Sequence, residues 1–571
     1  MYLRLVTYGK EIVNNSSVTS SLSLTGLAGL KKHWRDDLLS GFQIFLIALP
    51  LCLGIAMASG LPPMAGIISA IVGGMFVSRV NGSFVTITGP AAGLIVVILD
   101  AVTTLGEGDP TAGYYYTLAA IVVAGVLQLI MGYFKVGTLS SFFPTSVVHG
   151  MLTAIGIIIM TKQVHVMLGV TPESGSLFST MAQIPHSFLN MNAEIGVIGI
   201  FGLLLLILWN RLSHPWLKKI PAPILVVLLG IGLGTYFDLQ HQHIFHLPQQ
   251  LEMLTRNTLH DGQVGPSYLV AISNHFMSSF HLPDFGKFFT VEFWVAVVSI
   301  CLVGSLESVL STVAVDKLDP YKRHSNLDKD LAAIGAGNAL SGLIGGSAMI
   351  SEIVRSSANI NNGAKTGWAN FFHGSLMLLF VVLFPQVIHS IPLAALAALL
   401  VYTGFRLASP KEFSKVLKVG TEQFFMFCVT IVGVLATDLL IGVAIGIVVK
   451  LLVHIMRGVW WSNLFKIHFT VSESGEEYIV KLHGSALFTN FLPLKKAMDN
   501  LPKGKHITIN LTNGYLIDHT VMEYLHDFMH DYESHGGYCK QIGEPIHTFS
   551  NHALAARLMT EDERRNGRSY S

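Results

Sequence analysis

The chain has 571 residues, of which 51% are hydrophobic and 12% are charged, and its formal net charge is +1 at pH 7. Soluble domains average about 25% charged residues, so this composition indicates a polytopic membrane protein embedded in a lipid bilayer. No basic block is present, and we therefore expect no nucleic-acid partner. Cys52, Cys301, Cys428 and Cys539 lie far apart, which predicts free thiols rather than a disulfide framework.

Residues 1–38 lack a signal-peptide cleavage pattern and are predicted to form a cytosolic tail. Residues 39–457 contain about fourteen apolar runs of roughly the length that crosses a bilayer. With the N-terminus inside, most basic loop residues fall on the inner side, as the positive-inside rule requires. They are Lys135, Arg211, Lys218, Lys219, Lys317, Lys322, Arg323, Arg406, Lys411, Lys415 and Lys418, against Lys162, Arg256 and Lys287 outside.

Two of the apolar runs are interrupted by small residues at matching places in the two halves of the chain. Ser83–Gly93 passes from a β-branched stretch through Gly-Pro into a helix, and Gly345–Glu352 enters another helix. Paired interruptions of this kind indicate a midplane site, because the N-termini of two half-helices then converge on one anion. The alternative is that these glycines only allow close packing of helices.

Glu307 is a carboxylate inside the apolar run Phe293–Val315. A charge at this depth is costly unless it faces a cavity or a partner, so an intramembrane Glu is a functional-site hypothesis. Ser305, Ser308 and Ser311 surround it with oxygens that suit a cation. The alternative is an ion pair that packs two helices together.

The chain changes character after Arg457. Residues 465–555 show two alternating strands, a short buried strand and the helical spacing of Val521–Phe528, which predicts a small cytosolic α/β domain. Residues 556–571 are polar and predicted to be a flexible tail.

The sequence gives little support to an enzyme, a cofactor or a bound metal. It contains no metal triad, nucleophile elbow or phosphate-binding loop. His241, His243 and His246 have a spacing that could bind a metal, but nothing nearby supplies a fourth ligand, so a solvated loop is the preferred interpretation.

Several motifs, taken in order, resemble the SulP anion transporters, the bacterial relatives of the mammalian solute-carrier 26 proteins, which carry a C-terminal STAS domain. The resemblance implies an α-helical membrane protein with a seven-plus-seven inverted repeat, in a bacterial inner membrane. It also implies a homodimer, and elevator-type alternating access in which core spans 1–4 and 8–11 move against gate spans 5–7 and 12–14. The motifs are Pro50 with Ala56–Pro63, Gly89-Pro90, Gly304–Ser311, Asn338, Gly345-Gly346, Arg355–Asn359 and Gly363–Thr366.

The bicarbonate transporters of this family imply where the ligands lie. The anion is expected between the third and tenth half-helices, and the coupling cation at Glu307 and Ser311. Leu51 and Ala91 replace a Gln and a hydroxyl that are usual in the family, so the anion site should depend on backbone donors. The substrate-binding residues carried over are Ala91, Ala92, Ser351, Glu352, Ile353 and Arg355.

Glu352 departs from the family, where Ala or Ser is found. It either compensates the helix dipole and pairs with Arg355 at i,i+3, or titrates and must be neutral before an anion binds. Arg355 is either a substrate ligand or the partner of Glu352 or Glu307.

The identity of the transported anion and the identity of the driving ion restrict each other. Bicarbonate carried with a proton would become carbon dioxide, so a bicarbonate importer gains more from Na⁺, whereas sulfate or dicarboxylate import can use H⁺. The motif around Glu307 favours bicarbonate with Na⁺, and H⁺-coupled sulfate or dicarboxylate import is the alternative. A passive anion channel or exchanger, or a STAS-linked sensor, is the alternative of another class.

The STAS domain offers one possible regulatory residue. Asp518-His519-Thr520-Val521 replaces the Asp-Ser-Ser-Gly turn that is phosphorylated in anti-sigma antagonists. Thr520 keeps a hydroxyl at the phosphorylated position, but the first Ser and the Gly are lost. A structural, dimer-supporting domain is therefore the preferred interpretation.

Overall fold

The computed structural model describes most of the chain between Gly26 and Leu558. The described ranges are 26–135, 143–173, 175–212, 220–244, 263–272, 276–475, 477–502, 504–534, 536–543, 547–548, 552 and 554–558. The chain forms two compact units, the first made of residues 1–137 and 158–404 and the second of 138–157 and 405–571. His246, Lys218, Lys219, Arg256, the first part of the predicted N-terminal tail and the end of the C-terminal tail lie outside the described residues.

Helices dominate the membrane region. Eight of the described helices are long and apolar enough to cross a membrane, and four shorter apolar helices accompany them. Each predicted span has a helix at its place, while the exact number of fourteen crossings stays a prediction. The helices are α1 Gly26–Ala58, α2 Pro63–Val72, α3 Ile95–Gly106, α4 Pro110–Tyr133, α5 Thr145–Met167, α6 Ala193–Arg211, α7 Ala222–Tyr236, α8 Val291–Leu318, α9 Leu327–Leu343, α10 Ile353–Asn361, α11 Trp368–Leu383, α12 Leu393–Leu407, α13 Thr421–Ala436 and α14 Leu439–Met456.

Polar residues at the helix starts explain where many of these helices begin. Asp109, Asn192, Thr290 and Asn326 each accept a hydrogen bond from a backbone N–H in the first turn of the helix that follows. Such caps satisfy donors that have no partner inside the helix. In the first unit, α1, α7, α11 and α12 share one buried apolar core.

Two three-residue strands interrupt the first unit. β1, Ile87–Gly89, precedes a 3-10 turn, Ala92–Leu94, and α3; β4, Ile350–Glu352, leads directly into α10. The two strands pair antiparallel with the register Ile87↔Glu352, Thr88↔Ser351 and Gly89↔Ile350. The interruptions predicted from the small residues are therefore real breaks, and the pairing satisfies backbone groups that a membrane interior would leave without partners. A second small ladder joins β2, His243–Ile244, to β3, Gln263–Val264.

The second unit contains a six-stranded sheet at the C-terminal end of the chain. Its strands are β5 His468–Ser474, β6 Glu477–Ala486, β7 His506–Ile517, β8 Tyr538–Ile542, β9 His547–Thr548 and β10 Arg557–Leu558. β5 and β6 pair antiparallel, while β6, β7 and β8 run parallel. α15, Leu492–Asp499, and α16, His519–Ser534, share an apolar core with the sheet. This arrangement is consistent with a STAS domain.

Some details differ from the sequence-based expectations. α1, Gly26–Ala58, includes residues 26–38 of the stretch predicted as a tail, among them Trp34. β10 lies in the predicted flexible tail, where Arg557 pairs with Ile517 and Thr548. All four cysteines are free, as predicted.

Candidate functional site

The β1–β4 ladder determines the direction of the two half-helices. Because the strands are antiparallel, the chain leaves the ladder at opposite ends, toward α3 after Gly89 and toward α10 after Glu352. Both helix N-termini therefore face the ladder. The backbone N–H groups of a first helical turn and the positive end of the helix dipole favour an anion, so both helix starts are suited to one.

The first half-helix begins at Ala91 and Ala92, the predicted substrate-binding residues. Ala91 has extended backbone angles and caps the 3-10 turn, but it offers no side-chain hydrogen bond. Ala91 is buried and Ala92 half-buried. An anion bound at Ala91 or Ala92 would have only backbone N–H groups to contact, because an alanine side chain has no donor.

Glu307 lies against the start of this half-helix. α8 packs against β4, the Ala92–Leu94 turn, α3 and α10. The Glu307 side chain is 7% exposed, and its carboxylate is so close to Gly93 that a Cβ atom at position 93 would overlap it. Glu307 Oε2 has no hydrogen-bond partner among the described residues. The structure thus brings the predicted coupling acid to the predicted anion site, with one oxygen unpaired.

The serines around Glu307 have different environments. Ser305 Oγ accepts a hydrogen bond of 3.3 Å from Gln128 Nε2, so it belongs to a polar contact with α4. Ser308 is buried, and its hydroxyl has no partner in the described part of the chain. Ser311, the predicted second coupling residue, is half-buried one turn after Glu307. Glu307 Oε2 and Ser308 Oγ are thus the two oxygens of this group without a partner among the described residues, and Ser311 lies one turn further along α8.

Glu352 caps the second half-helix. Its Oε2 accepts hydrogen bonds from Arg355 N at 2.7 Å and from Arg355 Nε at 3.0 Å. These contacts match the capping and i,i+3 pairing predicted as one role of Glu352. Ile353, also a predicted substrate residue, is 39% exposed at the first position of α10.

Arg355 is 1% exposed and reaches from α10 to the other interrupted segment. Beyond Glu352, its guanidinium donates to the Pro90 carbonyl and, at 3.4 Å, to Cys52 Sγ. These contacts use three of the five side-chain N–H donors of arginine. Arg355 therefore pairs with Glu352 rather than with Glu307, and two of its side-chain N–H groups take no part in these contacts.

Sequence reasoning missed a second buried carboxylate beside the site. Asp330 in α9 is 2% exposed, and its Oδ2 accepts hydrogen bonds from Thr312 Oγ1 at 2.8 Å and from Ser351 Oγ at 3.2 Å. The Ser351 hydroxyl, predicted to bind substrate, thus points to Asp330 in this structure. The only signal in the sequence was an acid in the first turn of a helix, which usually indicates dipole compensation.

Asn338 holds the chain ahead of β4. Its side chain accepts from Met349 N at 2.6 Å and donates to Met349 O at 3.1 Å and to Gln128 Oε1 at 2.8 Å. The residue was noted only as part of a motif. Its contacts indicate a positioning role for the entry into the second half-helix.

A cavity of about 180 Å³ lies beside α1, away from the interrupted segments. Its lining is apolar except for Gln163, which does not suit an oxyanion. The residues that line it are Gly54, Met57, Ala58, Gln163, Val166, Leu393, Leu396, Ala397 and Leu400.

Thr520, the possible regulatory residue, lies in the first turn of α16 in the second unit. It is half-buried, and its hydroxyl accepts a hydrogen bond of 3.4 Å from Thr145 N. Glu523 Oε2 accepts a hydrogen bond of 2.8 Å from Thr145 Oγ1. The α/β region and the first turn of α5 are therefore in direct contact through α16.

Two half-helices that meet at a short ladder within a bundle of apolar helices define a helical membrane transporter. Solved structures share this fold. The transmembrane domain of a cyanobacterial bicarbonate transporter, BicA, has a TM-score of 0.59 and 22% identity, covering 72% of this chain and 97% of that one. Murine Slc26a9, an anion transporter in the inward-facing state, has a TM-score of 0.62 and 14% identity, and the match covers 99% of this chain and 98% of that one.

Residues 34–430 match the Sulfate permease family, and the chain belongs to that family of anion transporters. A putative sulfate transporter of Bacillus subtilis, YvdB, is 26% identical over 440 residues, which are 76% of either chain. The bicarbonate transporter BicA of Picosynechococcus is 25% identical over 431 residues, 75% of this chain and 71% of the relative.

Proposed function

We propose that the protein is a secondary active transporter that imports a small oxyanion, with a coupling cation held at Glu307. The observation that carries the proposal is the juxtaposition of the two half-helix N-termini with an unpaired, buried carboxylate oxygen. The half-helices supply donors for the anion, and Glu307 supplies the negative charge that a cation requires. Cation binding would then remove the repulsion between Glu307 and the incoming anion, which couples the two ions.

We propose bicarbonate with Na⁺ as the first candidate pair. The support is the Gly304–Ser311 motif, the oxygens of Glu307, Ser308 and Ser311, and the similarity to BicA. Sulfate or a dicarboxylate with H⁺ is the second candidate. YvdB supports it, and so does Asp330, a buried carboxylate whose described hydrogen bonds come from neutral hydroxyls.

Elevator-type alternating access is the mechanism we propose for moving the site. The β1–β4 ladder supports it, because three backbone-paired residues join the two half-helices and favour their moving together. The homodimer implied by the family resemblance also stays a prediction, which the mass of the detergent-solubilised protein would test.

The experiment uses the full-length protein in liposomes. Labelled bicarbonate, sulfate and succinate are offered in turn, each under an imposed Na⁺ or H⁺ gradient. We expect accumulation of one anion with one gradient, and a loss of at least about tenfold for Glu307→Gln because the cation loses its charged ligand. Glu292→Gln is the matched control, since Glu292 is an exposed acid in the first turn of the same helix.

The outcomes separate the candidate functions. Accumulation of none of the three anions by the wild-type protein would contradict the symporter proposal. Equilibration without regard to either gradient would favour a channel or an exchanger. An equal loss in Glu292→Gln and Glu307→Gln would show that the coupling ion does not depend on Glu307.

A further inference from the structure

Asp330 is a buried acid without a described cationic partner, and it has a direct contact with the anion site. Its Oδ2 accepts from Thr312 and Ser351, and its Oδ1 has no hydrogen-bond partner within the described residues. Ser83 and Gly82, which precede β1, lie beside the same carboxylate. Asp330 therefore contacts α8, β4 and the segment that leads into the first half-helix.

The contact matters because the Ser351 hydroxyl can donate to only one acceptor at a time. A serine hydroxyl has one proton to donate. In this structure that proton is directed at Asp330, and the hydroxyl cannot donate it at the same time to an anion. Ser351 lies opposite Thr88 in the ladder and directly precedes Glu352, which caps the second half-helix, so Ser351 is two residues from the start of α10.

We propose that Asp330 is a proton-linked positioning residue that controls whether Ser351 can donate to the transported anion. One proton from solution binds the Asp330 carboxylate and forms a carboxylic acid. That acid donates to Ser351 Oγ, and the Ser351 hydroxyl turns its own proton toward the anion. No covalent bond other than this O–H forms or breaks. The inference rests on the proposed function only in that it requires an anion between the half-helices.

The other charged groups near Asp330 contact residues other than Ser351, so Asp330 is the acid that controls the Ser351 hydroxyl. Asp316 on α8 is hydrogen-bonded to Ser325 N and Oγ at 2.7 and 2.6 Å. Arg79 lies 3.6 Å from the centre of the Trp368 ring, and Glu352 is turned toward Arg355. Glu307 on α8 faces Gly93, whereas α2 and α4, which also pack against α9, contain no Asp, Glu, Lys, Arg or His.

The test measures KM for the transported anion between pH 6 and 9 in liposomes, calculated on the ionised form. For the wild type, we expect KM to rise by up to about tenfold per pH unit in the alkaline range, because one proton is linked to one anion. Asp330→Asn should give a flat profile at the low-pH KM, because the amide donates to Ser351 Oγ permanently. Asp316→Asn is the matched control, and it should keep the slope.

Ser351→Ala is the second variant, in case Asp330→Asn fails to fold. It should also give a flat profile, but at a high KM, because the donor itself is gone. A wild-type slope retained in either variant would overturn the inference, as would a flat wild-type profile.

A second readout does not require transport. Sulfate or bicarbonate is added to the solubilised protein in weak buffer, and proton uptake is measured with a pH indicator. Uptake by the wild type and none by Asp330→Asn would support the inference, and equal uptake or no uptake by both would overturn it. Failure of the wild type to accumulate any anion in liposomes counts only against the proposed function.

Discussion

Glu352 and Arg355 form an ion pair next to the place where an anion is expected. The carboxylate accepts from both the backbone N–H and the side chain of Arg355, and Arg355 is almost completely buried. An anion bound at Arg355, as the proposed function requires, would compete with Glu352 for the same guanidinium. The pair therefore holds Arg355 in position while reducing its attraction for the substrate.

Glu352→Gln should strengthen anion binding. The glutamine can still accept from Arg355 N, but it no longer repels the anion or neutralises Arg355. We expect KM to fall by about tenfold, which corresponds to about 1.4 kcal/mol. The measurement is uptake as a function of anion concentration and pH. An unchanged KM would show that the anion does not meet this pair, and a weaker pH dependence would assign a titrating role to Glu352.

Gly93→Ala should strongly reduce transport. A Cβ atom at position 93 would overlap the Glu307 carboxylate, so the acid must leave its place at the first half-helix. Gly232→Ala in α7 is the matched control, because a Cβ there meets nothing within 4 Å. We expect at least about a tenfold loss of uptake for the first variant and near-normal uptake for the second, since an alanine usually favours a helix over glycine. Normal uptake by Gly93→Ala would mean that Glu307 works elsewhere.

At the scale of elements, local signals predicted the breaks in the chain and long-range packing determined the rest. The β-branched run before Gly89-Pro90 and the glycines at 345 and 346 predicted two interrupted segments. The spacing of Glu352 and Arg355 predicted their pairing. Nothing local could show that Asp330 is buried against Ser351, because an acid in the first turn of a helix looks the same when it faces water. The contact of Glu307 with Gly93 likewise depends on how α8 packs.

The α/β region shows the same limit. Its main strands and α16 were predicted from alternation and spacing, and the contact between Thr520 and Thr145 was not, because it joins residues 375 positions apart. The short α15 was also missed. Its second residue is a proline and it contains two lysines, so its apolar face is narrow.

Asp518 caps α16 and links it to the rest of the second unit. It is fully buried and accepts from Val521 N at 2.9 Å and from Phe488 N at 2.7 Å. Burial alone would raise the pKa of Asp518, but interactions with His454 and the nearby Lys450 hold that pKa below its ordinary value. The ionised carboxylate therefore stabilises the folded unit above the ordinary pKa of aspartate, and this stabilisation is lost as the pH falls through the lower, folded-state pKa.

Asp518→Asn should remove this acid dependence. The asparagine can cap α16 with one oxygen, but its amide nitrogen cannot accept from Phe488, so we expect a loss of about 2 kcal/mol at pH 7. Hydrogen exchange of the α16 amides in the full-length protein is the measurement. The wild type should lose protection below about pH 4, the ordinary range for aspartate. The variant should have less protection than the wild type at pH 7, and that protection should change less as the pH falls. Equal acid sensitivity in both would assign the effect to other carboxylates.

At the scale of the whole molecule, the family and the fold agree with the composition, and the finer function depends on a few side chains. A charged fraction of 12% was enough to indicate a membrane protein. Under the proposed function, the choice between Na⁺ and H⁺ would depend on Glu307 and Asp330, two acids on neighbouring helices that contact different interrupted segments. Substrate choice then follows, since a protonated bicarbonate gains nothing from a transporter.

The β1–β4 ladder also has a consequence for biosynthesis. Ile87 pairs with Glu352 in the ladder, and Ile87 N donates to Ser356 Oγ of α10, 269 residues later in the chain, so the first interrupted segment is synthesised long before its partner. Until then its backbone N–H and C=O groups lack their final acceptors and donors, which is costly in hydrocarbon. The nascent chain must shelter this segment among other helices or water during that interval. The ladder between the two interrupted segments therefore forms late, only after α10 has been synthesised.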